Sequence, residues 1–173
     1  MRLLIILVGL PGSGKSYWAN HINFRATIVS TDAIRAELTG NEEDQSRNNE
    51  VFAIARKRVR EGLKKDVIVI FDATNLSKRD RKPFIDIGNE CGALVHGVYF
   101  IRDEKASMRA MIERGRVVPT NVIERMKKKL QIPSKEEGFF SVNTVLNGAG
   151  VEPYGSDVDD KRGETKVIFD EVL

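Results

Sequence analysis

The chain has 173 residues, 41% of them hydrophobic and 31% charged, which fits one globular domain over 1–173 and excludes wholesale disorder. Its 28 Lys and Arg against 25 Asp and Glu leave a net charge of +3, a mildly basic balance that permits a nucleic-acid partner without requiring one. The lone Cys91 excludes an internal disulfide and points to a reducing, cytoplasmic setting.

Residues 3–8 form a continuous apolar run closed by Gly9. The run is too short to span a membrane and leads directly into a glycine-rich motif, so it reads as a strand buried on both faces of a parallel sheet rather than a leader. A helix is expected from about Lys15 to Asn23 and a short strand over 26–29. Ser30, Thr31 and Asp32 then supply N-cap chemistry for a helix to about Leu38. After a polar loop over 39–46, Val51, Ala55 and Val59 mark one face of a helix running to about Lys65. A second buried strand is expected over 67–71, ending at Asp72, and Ser77 begins a helix to about Cys91 that must accommodate Pro83. A strand over 94–100 precedes a helix capped by Asp103. Gly115 and Pro119 break that helix, and Thr120 caps another to about Gln131. Residues 141–146 read as a strand, 147–165 as a long flexible loop and 166–172 as a terminal strand. Strands alternating with helices predict an α/β fold with a mostly parallel sheet, whose ligands lie beyond the carboxyl ends of the strands.

Residues 9–16, Gly-Leu-Pro-Gly-Ser-Gly-Lys-Ser, fit G-x-x-x-x-G-K-[ST] at every position. Glycines let backbone N–H groups turn inward around phosphate oxygens, which side chains would block. Gly12, Ser13, Gly14, Lys15 and Ser16 are therefore the expected nucleotide-binding residues. Lys15 reaches the β and γ phosphates of ATP, and the Ser16 hydroxyl is a Mg²⁺ ligand. The bland alternative is a glycine-rich turn between strand and helix, but the motif has the required context, a buried strand before it and helix-compatible sequence after it.

A phosphate cradle does not distinguish a kinase from a nucleotide switch. Asp32 and Arg35 lie one turn apart at a helix start on the ligand side of the sheet, where Asp32 would take the proton of an attacking hydroxyl and Arg35 would hold an anionic substrate. The competing reading of Asp32 is a plain N-cap. Asp72, ending a buried strand, is placed to join Ser16 in the Mg²⁺ shell, with Thr74 and Asn75 offering short polar groups to a substrate; the alternative is an ordinary strand-end turn. Arg109, Arg114 and Arg116 around Gly115 read as a helical lid that brings cations to the transferring phosphoryl group, or else as a solvated helix end. Basic runs at 56–60, 78–82 and 125–129 suit either solvated helix faces or a track for nucleic-acid phosphates. Tyr17 and Trp18 read as packing groups. His21 and His96 have no metal-ligand spacing, and Cys91 has no nucleophile signature.

Taken together, residues 9–16, the Asp32/Arg35 pair, residues 71–76, the arginine-containing stretch ending at Pro119 and residues 133–139 resemble the kinase module of the polynucleotide 5′-hydroxyl kinase family, found in phage and in bacterial and animal end-healing enzymes. The likeness spans about residues 3–146. It implies a three-layer P-loop kinase fold with a helical lid, and ATP-dependent phosphorylation of the 5′-OH of DNA or RNA. It further implies Asp32 as general base, Arg35 on the substrate side, and a lid arginine on the ATP phosphates, matched to Arg114 with Arg116 as the alternative. Some relatives carry the strand-end carboxylate one position later, where this chain has Ala73. Residues 166–170 are similar to the strand that opens a phosphatase domain in several relatives, but the second acid is replaced by Val172, so no phosphatase activity is expected.

The leading expectation is thus a Mg²⁺- and ATP-dependent kinase of polynucleotide 5′-OH ends. A P-loop kinase of a small alcohol would share the same motifs, and a nucleotide switch without phosphotransfer would leave Asp32 and the lid arginines unexplained.

Overall fold

The apolar run that opens the chain lies where its composition demands, in the middle of a parallel sheet. The computed structural model describes residues 1–65, 68–116 and 118–146; the expected loop over 147–165 and strand over 166–172 lie outside the described residues. In chain order the elements are β1 (Arg2–Val8), α1 (Lys15–His21), β2 (Thr27–Ser30), α2 (Thr31–Thr39) and α3 (Asn48–Lys65). There follow β3 (Ile68–Asp72), α4 (Lys78–Glu90), β4 (Ala93–Ile101), α5 (Glu104–Glu113), α6 (Thr120–Lys129) and β5 (Ser141–Leu146).

The five strands pair in the order β2-β3-β1-β4-β5, and each pairing is parallel. In β1, Ile5 pairs with Ile70 on one side and His96 on the other, and every residue from Leu3 to Val8 is buried. Alternate residues feed two separate cores. Leu4, Ile6 and Val8 join Ile34, Val51, Val59 and Phe84, from α2, α3 and α4. Leu3, Ile5 and Leu7 join Trp18 and Ala19 of α1 on the opposite face. Helices on both faces make the three-layer α/β arrangement. Helix α4 lies close against the sheet because Gly88 lacks a side chain; a Cβ there would stand 2.4 Å from Val95 Cγ2.

Helix termini refine the sequence expectations. Ser30 rather than Thr31 or Asp32 caps α2, its hydroxyl accepting from Ala33 N at 3.4 Å. This releases Asp32 from the capping role. Ser77 and Asp80 form a reciprocal capping box at α4, which carries Pro83 inside it. Helix α1 stops at His21, and α6 is preceded by Pro119 at its N-cap position, with Thr120 already helical and no side-chain cap bond. Trp18 packs edge-on against Phe100, whereas Tyr17 is exposed and stacks on His21, contrary to its expected packing role.

One buried cation ties the ligand side of the sheet together. The Arg81 guanidinium, fully buried, donates through Nε and Nη2 to the two oxygens of Glu137 at 2.7 Å each. Its Nη1 donates to the carbonyls of Asn75 at 2.8 Å, Gln131 at 3.0 Å and Leu76 at 3.2 Å. The segment after β3 is thereby pinned to the chain beyond α6.

Candidate active site

The carboxyl ends of β1, β2, β3 and β4 open into a cleft of about 1260 Å³. Its floor is the loop over 9–16. One wall is the start of α2 with residues 42–48, and the other is α5, the connection after it and α6. This is the crevice in which an open α/β sheet binds its ligand.

The loop has the backbone its glycines allow. Gly12 has φ +75°, and a Cβ there would stand 2.4 Å from the Ser107 carbonyl of α5, so only glycine fits. Gly14 has φ +100° immediately before α1. Lys15 Nζ donates to Leu10 O at 2.8 Å and to Ser13 Oγ at 3.3 Å. Burial pulls the Lys15 ammonium from its ordinary value down to about 8, opposed by the carboxylates of Asp72 and Asp32. Asp72, at the end of β3 and 6% exposed, is pushed upward by burial, opposed by a hydrogen bond from Ser16 and by the charge of Lys15. Ser16 and Asp72 thus meet as two oxygen donors beside the lysine, a donor set that suits a hard cation such as Mg²⁺. Gly12, Gly14, Lys15, Ser16 and Asp72 all line the cleft, while Ser13 is buried behind it.

Asp32 is held by two arginines. Its Oδ1 accepts from Arg35 Nη1 at 2.7 Å and its Oδ2 from Arg116 Nη1 at 2.8 Å. Arg35 is 5% exposed and also donates to Glu42 O at 3.1 Å and to Asn48 Oδ1 at 3.3 Å, so most of its guanidinium is spent on its own surroundings. Both lid arginines line the cleft and both charges act on Lys15, that of Arg116 more than that of Arg114. Arg116 also reaches across to Asp32, whereas Arg114 is exposed and acts on Asp72 by its charge.

Thr74 faces the cleft, and its carbonyl accepts from Gly9 N at 3.0 Å. Asn75 also borders the cleft, yet its side chain is buried: Nδ2 donates to Leu7 O at 2.7 Å, stitching the loop after β3 to the end of β1. Its φ of +48° is the left-handed conformation that asparagine tolerates. Four cleft residues have no motif in the sequence: Arg102, which donates to Gly12 O at 3.2 Å from just beyond β4, and Glu42, Glu43 and Asn48, which surround Arg35 and Arg116. The position of Arg102 directly after a buried strand was the one available signal.

Part of each basic run is paired with carboxylates. Arg58 pairs with Glu37, Arg60 with Glu90, Lys82 with Asp86, Lys127 with Glu104, and Lys129 with Asp80. Among the described residues no helix is long and apolar enough to cross a membrane.

A five-stranded parallel sheet with this loop at the end of its central strand, and with an aspartate and arginines facing it, defines the class of P-loop kinase folds. The chain belongs to the AAA domain family AAA_33, which matches residues 4–133. Its curated relatives include the following two. The L-seryl-tRNA(Sec) kinase of Methanococcus maripaludis is 29% identical over 141 residues, covering 76% of this chain and 53% of that protein. The bifunctional polynucleotide phosphatase/kinase of Schizosaccharomyces pombe is 27% identical over 150 residues, covering 82% and 33%. The chain therefore spans about half of the first relative and a third of the second. Among solved structures, a chain of the Pnkp1/Rnl/Hen1 RNA repair complex superposes with a TM-score of 0.66 at 27% identity, over 75% of this chain and 44% of that one. Chaetomium thermophilum Kti12 in complex with ADP-AlF3 superposes with a TM-score of 0.60 over 83% of this chain and 88% of that one. At 17% identity this second likeness is one of fold. The resemblance to polynucleotide kinases read from the motifs is upheld by these findings.

Proposed function

We propose that this chain transfers the γ-phosphoryl group of ATP to the 5′-hydroxyl end of a polynucleotide. The observation that carries the reading is the placement of the Asp32 carboxylate at the cleft, together with Lys15 and the lid arginines. The loop amides and Lys15 hold the β and γ phosphates. Arg114 adds positive charge to the same region as charge spreads over the transferring group. The acceptor oxygen gives its proton to Asp32 as it bonds to phosphorus, and ADP leaves with the electrons of the broken P–O bond. Ser16 and Asp72 are the residues that would hold Mg²⁺, which when bound supplies further charge neutralisation to the phosphates.

The polynucleotide acceptor is supported by the name of one curated relative, a polynucleotide phosphatase/kinase, and the name of the other, an L-seryl-tRNA(Sec) kinase, agrees with a substrate that contains RNA. The mildly basic charge agrees with such a partner. The test offers labelled ATP and Mg²⁺ to the protein with a 5′-OH oligonucleotide, a 5′-phosphorylated control, a seryl-tRNA and a panel of small alcohols. Label is expected on the 5′-OH oligonucleotide and not on its phosphorylated control. Transfer confined to seryl-tRNA or to a small alcohol would replace the acceptor while keeping the kinase, and no transfer to any acceptor would end the kinase reading.

A further inference from the structure

The two arginines on Asp32 are not equivalent. Arg35 is 5% exposed and is held in place by Glu42 O and Asn48 Oδ1 as well as by Asp32. Arg116 stands on the connection between α5 and α6, directly after Gly115, which has φ +70°. Its side chain is 26% exposed, and among the described residues that side chain's hydrogen bond is the one to Asp32. Glu43 Oε1 lies 3.6 Å from its Nε, a second carboxylate beside the same guanidinium, and that Nε is buried without a hydrogen-bond partner. With Arg35 on one oxygen and Arg116 on the other, a proton delivered to Asp32 would meet an N–H already pointing at either site. The same Arg116 acts electrostatically on Lys15, so it lies within range of whatever anion the loop holds.

We propose that Arg116 is a latch on Asp32 that the phosphoryl donor opens. Polyphosphate seated against Lys15 draws the guanidinium off Asp32 Oδ2, and the carboxylate becomes free for an acceptor hydroxyl only when the donor is in place. Arg35, held by three partners, keeps the freed carboxylate oriented. The inference rests on reading the cleft as an ATP site and Asp32 as the base.

Asp32 and the ATP phosphates then compete for one cation, and such competition is reciprocal: removing one claimant strengthens the other. Calorimetric titration of wild type, Asp32→Asn, Arg116→Gln and the double variant with Mg²⁺ and a non-transferable ATP analogue reads this directly. Asp32→Asn is expected to tighten the analogue by ~5-fold or more, the lower end of ordinary coupling between sites. On the Arg116→Gln background the same change is expected to have less than ~2-fold effect. The cycle is repeated with Arg116→Ala, because a glutamine can itself pair with Asp32, and melting curves confirm that each variant is folded. Equal tightening in both backgrounds is what loss of one negative charge near the phosphates would give by itself; that result, or no tightening at all, overturns the latch. Failure of the wild-type protein to bind the analogue overturns the ATP reading instead, so the two failures are distinct.

Discussion

Two arginine–carboxylate clusters stand on the ligand side of this sheet, and they are built differently. Arg81 and Glu137 are 0% and 5% exposed, form a bidentate pair, and leave no guanidinium nitrogen of Arg81 without an acceptor. The cluster on Asp32 is 33% exposed at the carboxylate, draws on two arginines, shares one of them with Glu43, and leaves Nε of both Arg35 and Arg116 without a hydrogen bond. The first is a finished structural joint: it holds residues 75–76 against residue 131, with no polar atom left over for a ligand. The second has donors in surplus at the mouth of a cleft. Satisfied ionic networks fix a fold, whereas under-satisfied ones beside a cavity are available for chemistry.

The contrast is tested by breaking each side. Arg81→Leu strands the Glu137 carboxylate in the interior, and removal of one partner of a buried pair costs ~3–5 kcal/mol. A large drop in Tm, with activity lost only through unfolding, is expected in thermal and urea melts. Arg114→Ala should do the reverse. Its loss from the region of Lys15 and Asp72 is expected to lower single-turnover phosphotransfer by ~10²–10³-fold, the usual effect of losing one charge-stabilising donor, while Tm stays at the wild-type value because the side chain is exposed.

Lys15 gives the contrast a pH signature. Its folded-state value of about 8 lies below the ordinary 10.5. Between these two values the unfolded chain binds more protons than the folded one, so stability rises with pH across that window. Below about pH 8 the cost of burying the charged ammonium is fully present. A bound polyphosphate favours the charged form. Near pH 9, therefore, ATP binding is expected to take up close to one proton, and near pH 6.5 almost none, as read by calorimetry in buffers of different ionisation heat. ATP affinity falls correspondingly above pH 8, and Lys15→Met abolishes the proton uptake. The smallest effect belongs to the rim: Arg58→Ala, which opens an exposed pair with Glu37, is expected to move neither Tm nor activity resolvably.

How much of this was legible in the sequence follows the same division. The cradle over 9–16 and the strands around it were readable because each is a local pattern: an unbroken apolar run, glycines at fixed offsets, a lysine followed by a serine. The places of Asp32 and Asp72 followed, since Asp72 closes one strand and Asp32 opens the helix directly after another, on one side of a parallel sheet. What was not legible depends on distant pairing. Arg116 and Asp32 are 84 positions apart, and nothing local distinguishes the arginine that meets the carboxylate from the one two residues earlier that does not. Arg81 sat within a basic run and read as one more surface cation; its partner Glu137 is 56 positions away. Asn75 read as a substrate contact because a short polar residue after a buried strand faces the ligand side, yet its amide goes to the backbone of β1. Long-range hydrogen bonds of this kind leave no periodicity for a sequence to display.

The central claim is that Asp32 takes the acceptor's proton. It is tested most directly by single-turnover transfer from labelled ATP to a 5′-OH oligonucleotide, comparing wild type with Asp32→Asn. Because Ser30 rather than Asp32 caps α2, the asparagine variant is expected to remain folded and to bind ATP. Its transfer rate is expected to fall by ~10²–10⁴-fold, the contribution of a positioned general base. A folded, ATP-binding Asp32→Asn protein that phosphorylates the oligonucleotide at the wild-type rate would contradict the account.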